Sequence, residues 1–246
     1  MERPRLLLVP MLTEVEWVIK PHLEEWADVA SYDAPGVGDE PAVEDPDSES
    51  TARRGLDEAD RLGWERFVVV ADEFGVVAAS HLAVAAGDRV QGLALGHARL
   101  SNSPDGARPA INREVLSGIQ SLIRADNRTF VMQLFKMTGG EELAGGYREE
   151  LVDEYVRRVP LDATQRFYDS RMEEGRQLGE RLSSLDVPML LAQHKGCLMF
   201  TEEGFDDAVA ALPHARTAAH ADKPSTSVEF SHELREFCAQ LEAARA

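Results

Sequence analysis

Apolar and polar positions along this chain fall into short buried runs separated by longer amphipathic stretches. The runs RLLLV (Arg5–Val9), DVASY (Asp28–Tyr32), FVVVA (Phe67–Ala71), VQGLAL (Val90–Leu95), PMLLA (Pro188–Ala192) and RTAA (Arg216–Ala219) read as strands. Between them, Glu16–Glu25, Thr51–Leu62, Gly75–Ala86, Glu202–Leu212 and Ser227–Leu241 read as helices. In the last of these, Phe230, Leu234, Phe237 and Leu241 recur at helical spacing. Strands alternating with helices predict an α/β protein, with a mostly parallel sheet of about six strands and helices on both faces.

One stretch breaks the alternation. From Leu100 to Leu185 strand-like runs are scarce. A polar loop (SNSPDGARPAIN) leads into amphipathic segments near Arg113–Ile123, Arg128–Met137, Tyr147–Val159 and Thr164–Leu182, with TGGEELAGG as a flexible break. The expected organisation is therefore a core built from 1–99 and 186–246, with an all-helical insertion over 100–185. Its place between two core strands would let it cover the carboxyl edge of the sheet, where open parallel sheets bind ligands. Phe130, Phe135, Tyr147, Tyr155, Phe167 and Tyr168 read as packing within the insertion, with one or two reaching the cleft, and Trp17, Trp26 and Trp64 as core residues.

Composition narrows the partners. With 246 residues and 43% hydrophobic content the chain can bury a substantial core. No apolar run approaches the roughly 18 residues of a membrane span, and LLLVP is too short for a signal peptide, so a cytoplasmic protein is expected. The net charge of −18 repels phosphate backbones and anionic bilayers. A small-molecule ligand or substrate is the expected partner, with no nucleic acid and no membrane; the oligomeric state is not legible. Acids crowd into Asp39–Glu49 without the spacing of a calcium loop, and read as a solvated loop. Cys197 and Cys238 are too isolated for a disulfide framework or a CxxC motif.

The segment FVVVADEFGVVAASHLA reads as a buried strand, a tight turn and a helix. Ala71 and Gly75 flank Glu73 by two positions on either side. In a nucleophile elbow the strand and helix approach so closely that those flanking side chains must be nearly absent, and only the central one projects freely. The plainer alternative is an ordinary turn with Glu73 in the first turn of a helix, where the dipole favours a carboxylate.

The order of these parts resembles the α/β-hydrolase superfamily over nearly the whole chain. The family's first core strand ends in an oxyanion-loop His-Gly with a tryptophan soon after, to which LLLVPMLTEVEW is similar, with Pro10-Met11 and Trp17. Its Asp-x-Pro-Gly-x-Gly turn matches Asp33 to Gly38, its small-x-Ser-x-Gly elbow becomes Ala71-Asp72-Glu73-Phe74-Gly75, and RVQGLAL resembles the next strand. VPMLLAQHKGC resembles the acid-loop strand and sets Cys197 where the catalytic Asp would stand. His220 falls at about the distance of the catalytic His. The chain starts at what resembles the family's third strand, so the usual antiparallel edge hairpin is not expected.

This resemblance implies a site of Glu73, His220 and Cys197 in place of Ser-His-Asp, with Met11 and Phe74 at the oxyanion position and His97 and His194 lining the pocket. Three of the four functional positions differ from the family pattern, so serine ester hydrolysis is not expected. Three readings stay open: acid–base chemistry by Glu73 and His220 on a small apolar metabolite, Glu73 as a covalent carboxylate nucleophile, or a ligand-binding or interaction protein without turnover. A metal held by Glu73 and the three histidines lacks HxH or HExxH spacing, and neither a metal nor any other cofactor is expected. Cys197 reads more simply as a structural cysteine than as a thiolate.

Overall fold

The computed structural model describes residues 3–43, 46–101, 108–137, 149–220 and 222–244. Its centre is a sheet of six parallel strands: β1 (Arg5–Val9), β2 (Asp28–Ser31), β3 (Phe67–Ala71), β4 (Val90–Gly96), β5 (Met189–His194) and β6 (Arg216–His220). They lie in the order β2-β1-β3-β4-β5-β6, with every neighbouring pair parallel. The middle strands are apolar on both faces because both faces are covered. Leu7, Val9, Val69, Leu93 and Leu191 point to one side, against α2 (Ser48–Arg61), α3 (Gly75–Ala86) and α8 (Leu178–Ser183). Leu6, Leu8, Val68, Val70, Ala94 and Leu190 point to the other, against α1 (Lys20–Glu24) and α10 (Val228–Ala243). Alternation at period two thus fills two separate cores from one set of strands.

Between β4 and β5 the described residues hold helices and no strand: α4 (Arg113–Ala125), α5 (Asn127–Met137), α6 (Glu149–Arg158), α7 (Leu161–Glu174) and α8. Helices α4 to α7 bury Leu116, Ile123, Phe130, Val131, Val152, Tyr155 and Phe167 against Met11, Leu12, Ala34, Val37, Phe74 and Phe200. Those partners follow the ends of β1, β2, β3 and β5, so the helices cover the carboxyl edge of the sheet. A polar tie fixes them there: Arg158 of α6 reaches Asp33 at 2.5 Å and Glu14 at 3.3 Å, while Asp33 accepts from the Thr13 hydroxyl at 2.7 Å. The TGGEELAGG segment and Tyr147 lie outside the described residues, as do the side chains of Phe135 and Tyr168.

Two local expectations need correction. The helix expected over Glu16–Glu25 is a single 3-10 turn at Glu14–Glu16 followed by α1, because Pro21 has no N–H to continue a helix begun at Glu16. The acidic run is not simply solvated, since Asp47 caps α2 by accepting from the Ser50 amide at 2.7 Å and Glu40 pairs with Arg54 at 2.7 Å. Among the described residues no helix is long and apolar enough to cross a membrane. The last piece, α9 (Glu202–Ala211), connects β5 to β6.

Candidate functional site

Three residues turn the chain from β3 into α3. Glu73, at their centre, has φ 49°, one of two positive values among the described non-glycine residues; the other is His97, at φ 50° just past β4. Backbone of this kind is costly for a residue with a Cβ and persists only where surroundings hold it. Gly75 explains the close approach, since a Cβ there would lie 3.1 Å from the Val9 carbonyl and 3.2 Å from that of Pro10. Arg99 holds both strained residues at once: its guanidinium donates to the carbonyl of Glu73 at 3.0 Å and of His97 at 2.9 Å. It is itself buried over the ring of Phe200, at 4.3 Å, and burial lowers its pKa to about 10.

The Glu73 side chain is buried and meets Lys223, whose Nζ lies 3.0 Å from Oε2. Lys223 follows β6 and precedes a 3-10 turn at Pro224–Thr226. Burial alone would lower the lysine's pKa, but the carboxylates of Glu73, Asp72 and Glu16 outweigh it and hold the ammonium charged.

Glu16 fills the space beside the backbone of Met11, a residue expected at an oxyanion position. It is the third residue of a capping box opened by Thr13, and its carboxyl accepts from the Met11 amide at 2.8 Å and the Leu12 amide at 3.2 Å. Burial pushes its pKa up to about 7, against the opposing pull of Lys223 and these amides. The Met11 N–H is thus turned to an internal acid. A void of about 10 Å³ remains between Val9, Met11, Glu16, Trp17, Asp72, Lys223 and Ser225. That is room for about one water. The Phe74 ring packs edge-on against Phe167 and Phe200, with centroids 5.9 and 5.4 Å away.

A second cluster lies one strand over. Asp72 accepts from the Glu73 amide at 2.8 Å and the Ser225 amide at 2.9 Å, and meets His97 Nδ1 at 2.7 Å. Burial opposes its ionisation, yet His97, Lys223 and the Ser225 amide hold the carboxyl well below the usual range. Gly96 permits the arrangement, because a Cβ there would collide with the Asp72 carboxylate. For His97 burial favours the neutral ring, but Asp72 and Cys197 raise its pKa to about 10. Cys197 moves the other way: burial would raise the thiol, while His194 and His97 bring it down to about 6.

The residues expected to act together are therefore distributed among three places. His220 was expected in a loop beside Glu73, but β6 runs one residue further and takes it in. Its ring sits edge-on to Phe230 of α10, centroids 6.0 Å apart, and Nδ1 lies 3.6 Å from Glu229. Burial lowers its pKa, and the charges acting on it are Glu229 and Glu233 rather than Glu73. Cys197, expected at the acid position beside His220, instead joins His97 and His194. Sequence reasoning missed Asp72, Arg99, Glu16 and Lys223. The Thr13-x-x-Glu16 capping pattern was a usable signal for one of them; the other three depend on where strands end.

No family model matches the sequence, and no curated protein matches it. Solved structures do. A bromoperoxidase from Bacillus anthracis superposes with a TM-score of 0.78 at 15% identity, covering 99% of this chain and 92% of that one. An enol-lactonase from Burkholderia xenovorans LB400 gives 0.69 at 16%, covering 99% and 92%. An esterase from Exiguobacterium antarcticum gives 0.69 at 16%, with the same coverage.

Proposed function

We propose that this chain, which has the α/β-hydrolase fold, is a hydrolase-like small-molecule binding protein that does not carry out serine-type ester hydrolysis. The observation that carries the non-hydrolytic part of this reading is the Glu73–Lys223 ion pair at 3.0 Å, buried at the turn where the fold's enzymes hold their nucleophile. A carboxylate neutralised by a buried ammonium is a poor nucleophile, and removing it from that partner leaves an uncompensated charge. The oxyanion position is likewise taken by Glu16, so a tetrahedral intermediate would have to displace an internal hydrogen bond to gain the Met11 donor. Helices α4 to α7 then serve as a cap, residues 100–185, over a core of 1–99 and 186–246. The same pairing argues against covalent catalysis by Glu73.

A second reading has one observation in its favour. Glu16, with a pKa of about 7, lies close enough to Lys223 for each to shift the other. A carboxyl that gains and loses its proton near neutrality is suited to acid–base work on a small metabolite. In this reading the acid–base couple is Glu16 and Lys223, not Glu73 and His220.

Incubation with a metabolite extract, followed by mass spectrometry of both protein-bound and free fractions, separates the two. The binding reading expects a small molecule retained at unchanged mass and no new product. A product formed by wild type and lost in Glu16→Gln would favour the acid–base reading instead.

A further inference from the structure

We infer that His97, His194 and Cys197 form a binding site for a thiophilic divalent cation, zinc(II) by preference, at the carboxyl ends of β4 and β5. One potential ligand atom from each side chain lies within 4.8 Å of the other two. Tetrahedral zinc, bound at about 2.0–2.1 Å by nitrogen and about 2.3 Å by sulfur, sets its ligand atoms roughly 3.3–3.7 Å apart. Closing the cluster therefore takes shifts of about 1 Å, within reach of side-chain torsions.

The surroundings of His97 carry the argument. Its Nδ1 is bonded to the Asp72 carboxylate at 2.7 Å, while its Nε2 is buried and has no hydrogen-bond partner among the described residues. Cys197 lies close enough to act on this ring by a weak side-chain hydrogen bond and by its charge, outside the geometry of a well-formed bond. A buried imidazole nitrogen left open is costly, and a histidine fixed by a carboxylate at its far nitrogen is how proteins orient a metal ligand. The His97 backbone is held by the Arg99 contact to its carbonyl at 2.9 Å and by its amide donating to the Ala192 carbonyl at 2.8 Å. Strain at φ 50° is thus maintained on a residue that stands beside a cysteine and a second imidazole, where a bound cation would take the place of the ring's second proton.

The other two ligands come from one turn. His194 ends β5, Gly196 takes φ 79°, and Cys197 follows. The rings of His194 and His97 stand edge to face with centroids 5.8 Å apart. The Phe200 amide approaches the Cys197 sulfur at 3.5 Å, a donor suited to a thiolate. Two imidazoles and a thiolate select zinc over the oxygen-seeking magnesium and calcium. Three protein ligands leave a fourth position for water or a ligand, the coordination count of zinc sites that react rather than merely brace. This site uses different side chains from the Glu73–Lys223 pair, and it departs from the expectation that no metal binds.

The test is titration of the purified, metal-stripped full chain with cobalt(II), which reports sulfur ligation and tetrahedral geometry by absorption. The site predicts saturation at one cobalt per chain, a thiolate-to-cobalt charge-transfer band in the near ultraviolet, intense visible bands, and bleaching of both by zinc(II). Cys197→Ser should abolish the charge-transfer band and His194→Ala should weaken cobalt binding at least about tenfold. Cys238→Ala, on the far core, should leave both unchanged, with circular dichroism confirming that each variant is folded. A folded wild type with no thiolate band, or a band that persists in Cys197→Ser, overturns the inference.

Discussion

The ends of β3 and β4 each present a strained, charged residue at the same edge of the sheet, but they differ in how its polar atoms are used. At Glu73 the protein supplies its own counter-charge: Lys223 meets the carboxylate, and Glu16 takes the neighbouring backbone donor. At His97 one ring nitrogen is satisfied by Asp72 and the other is left open toward Cys197 and His194. The first region is closed on itself, and the second brings three potential metal ligands within 4.8 Å of one another. Arg99 bridges the two through the carbonyls of both strained residues, so they form one frame with two different purposes. A strained turn thus marks a position the fold holds rigidly, without saying whether that position is still reactive.

The largest effect expected from breaking this contrast is at Lys223. Lys223→Met keeps the side chain's length but leaves Glu73, Asp72 and Glu16 buried without their shared cation. Loss of about 3–5 kcal/mol is expected, read as a fall in the urea midpoint. An unchanged midpoint would mean that the elbow is not held by this pair.

The pH dependence of stability sharpens the same point. Glu16 titrates near 7 in the folded chain against an ordinary value of 4.5, so its neutral form favours folding. That contribution is complete below pH 4.5 and is lost as pH rises through about 7. Across that window the group should remove up to about 3 kcal/mol of stability. Denaturation curves of Glu16→Gln, compared with wild type over this range, should show a correspondingly flatter profile. Identical slopes would place the Glu16 carboxyl in contact with water instead.

On the other side of the comparison, Asp72→Asn should cost about 2 kcal/mol, because a neutral amide accepts more weakly from two backbone amides and His97. Its more specific signature is on His97, whose pKa should drop from about 10 toward or below the ordinary histidine range, as followed by imidazole proton shifts in NMR titration. A His97 that titrates as before would show that Asp72 does not set its charge.

How much of this was legible in the sequence depended on the range of the interaction. FVVVA followed by Gly75 marked β3, the turn and α3 to the residue, because burial of a central parallel strand and a helix start are local facts. The helical stretch between β4 and β5 was equally plain from its lack of strand runs. The site was legible only in part. His220 and Lys223 are three residues apart, and one extra residue in β6 decides which enters the sheet and which reaches Glu73. That extra residue is set by pairing of His220 with His194 across the sheet, which no local pattern displays. Asp72 and Arg99 were invisible for the same reason. Their partners sit at the turn after β3, in the loop after β4, after β5 and beyond β6.

On the function proposed above, the turn at Glu73 is filled by the protein's own buried charges instead of a reactive nucleophile. Steady-state hydrolysis of p-nitrophenyl acetate by folded wild type and Glu73→Ser tests it most directly. Neither should exceed the buffer rate, since a serine at position 73 would still face an ammonium in place of an imidazole base and an oxyanion donor engaged by Glu16. Robust turnover by wild type, lost in Glu73→Gln, would contradict the claim outright.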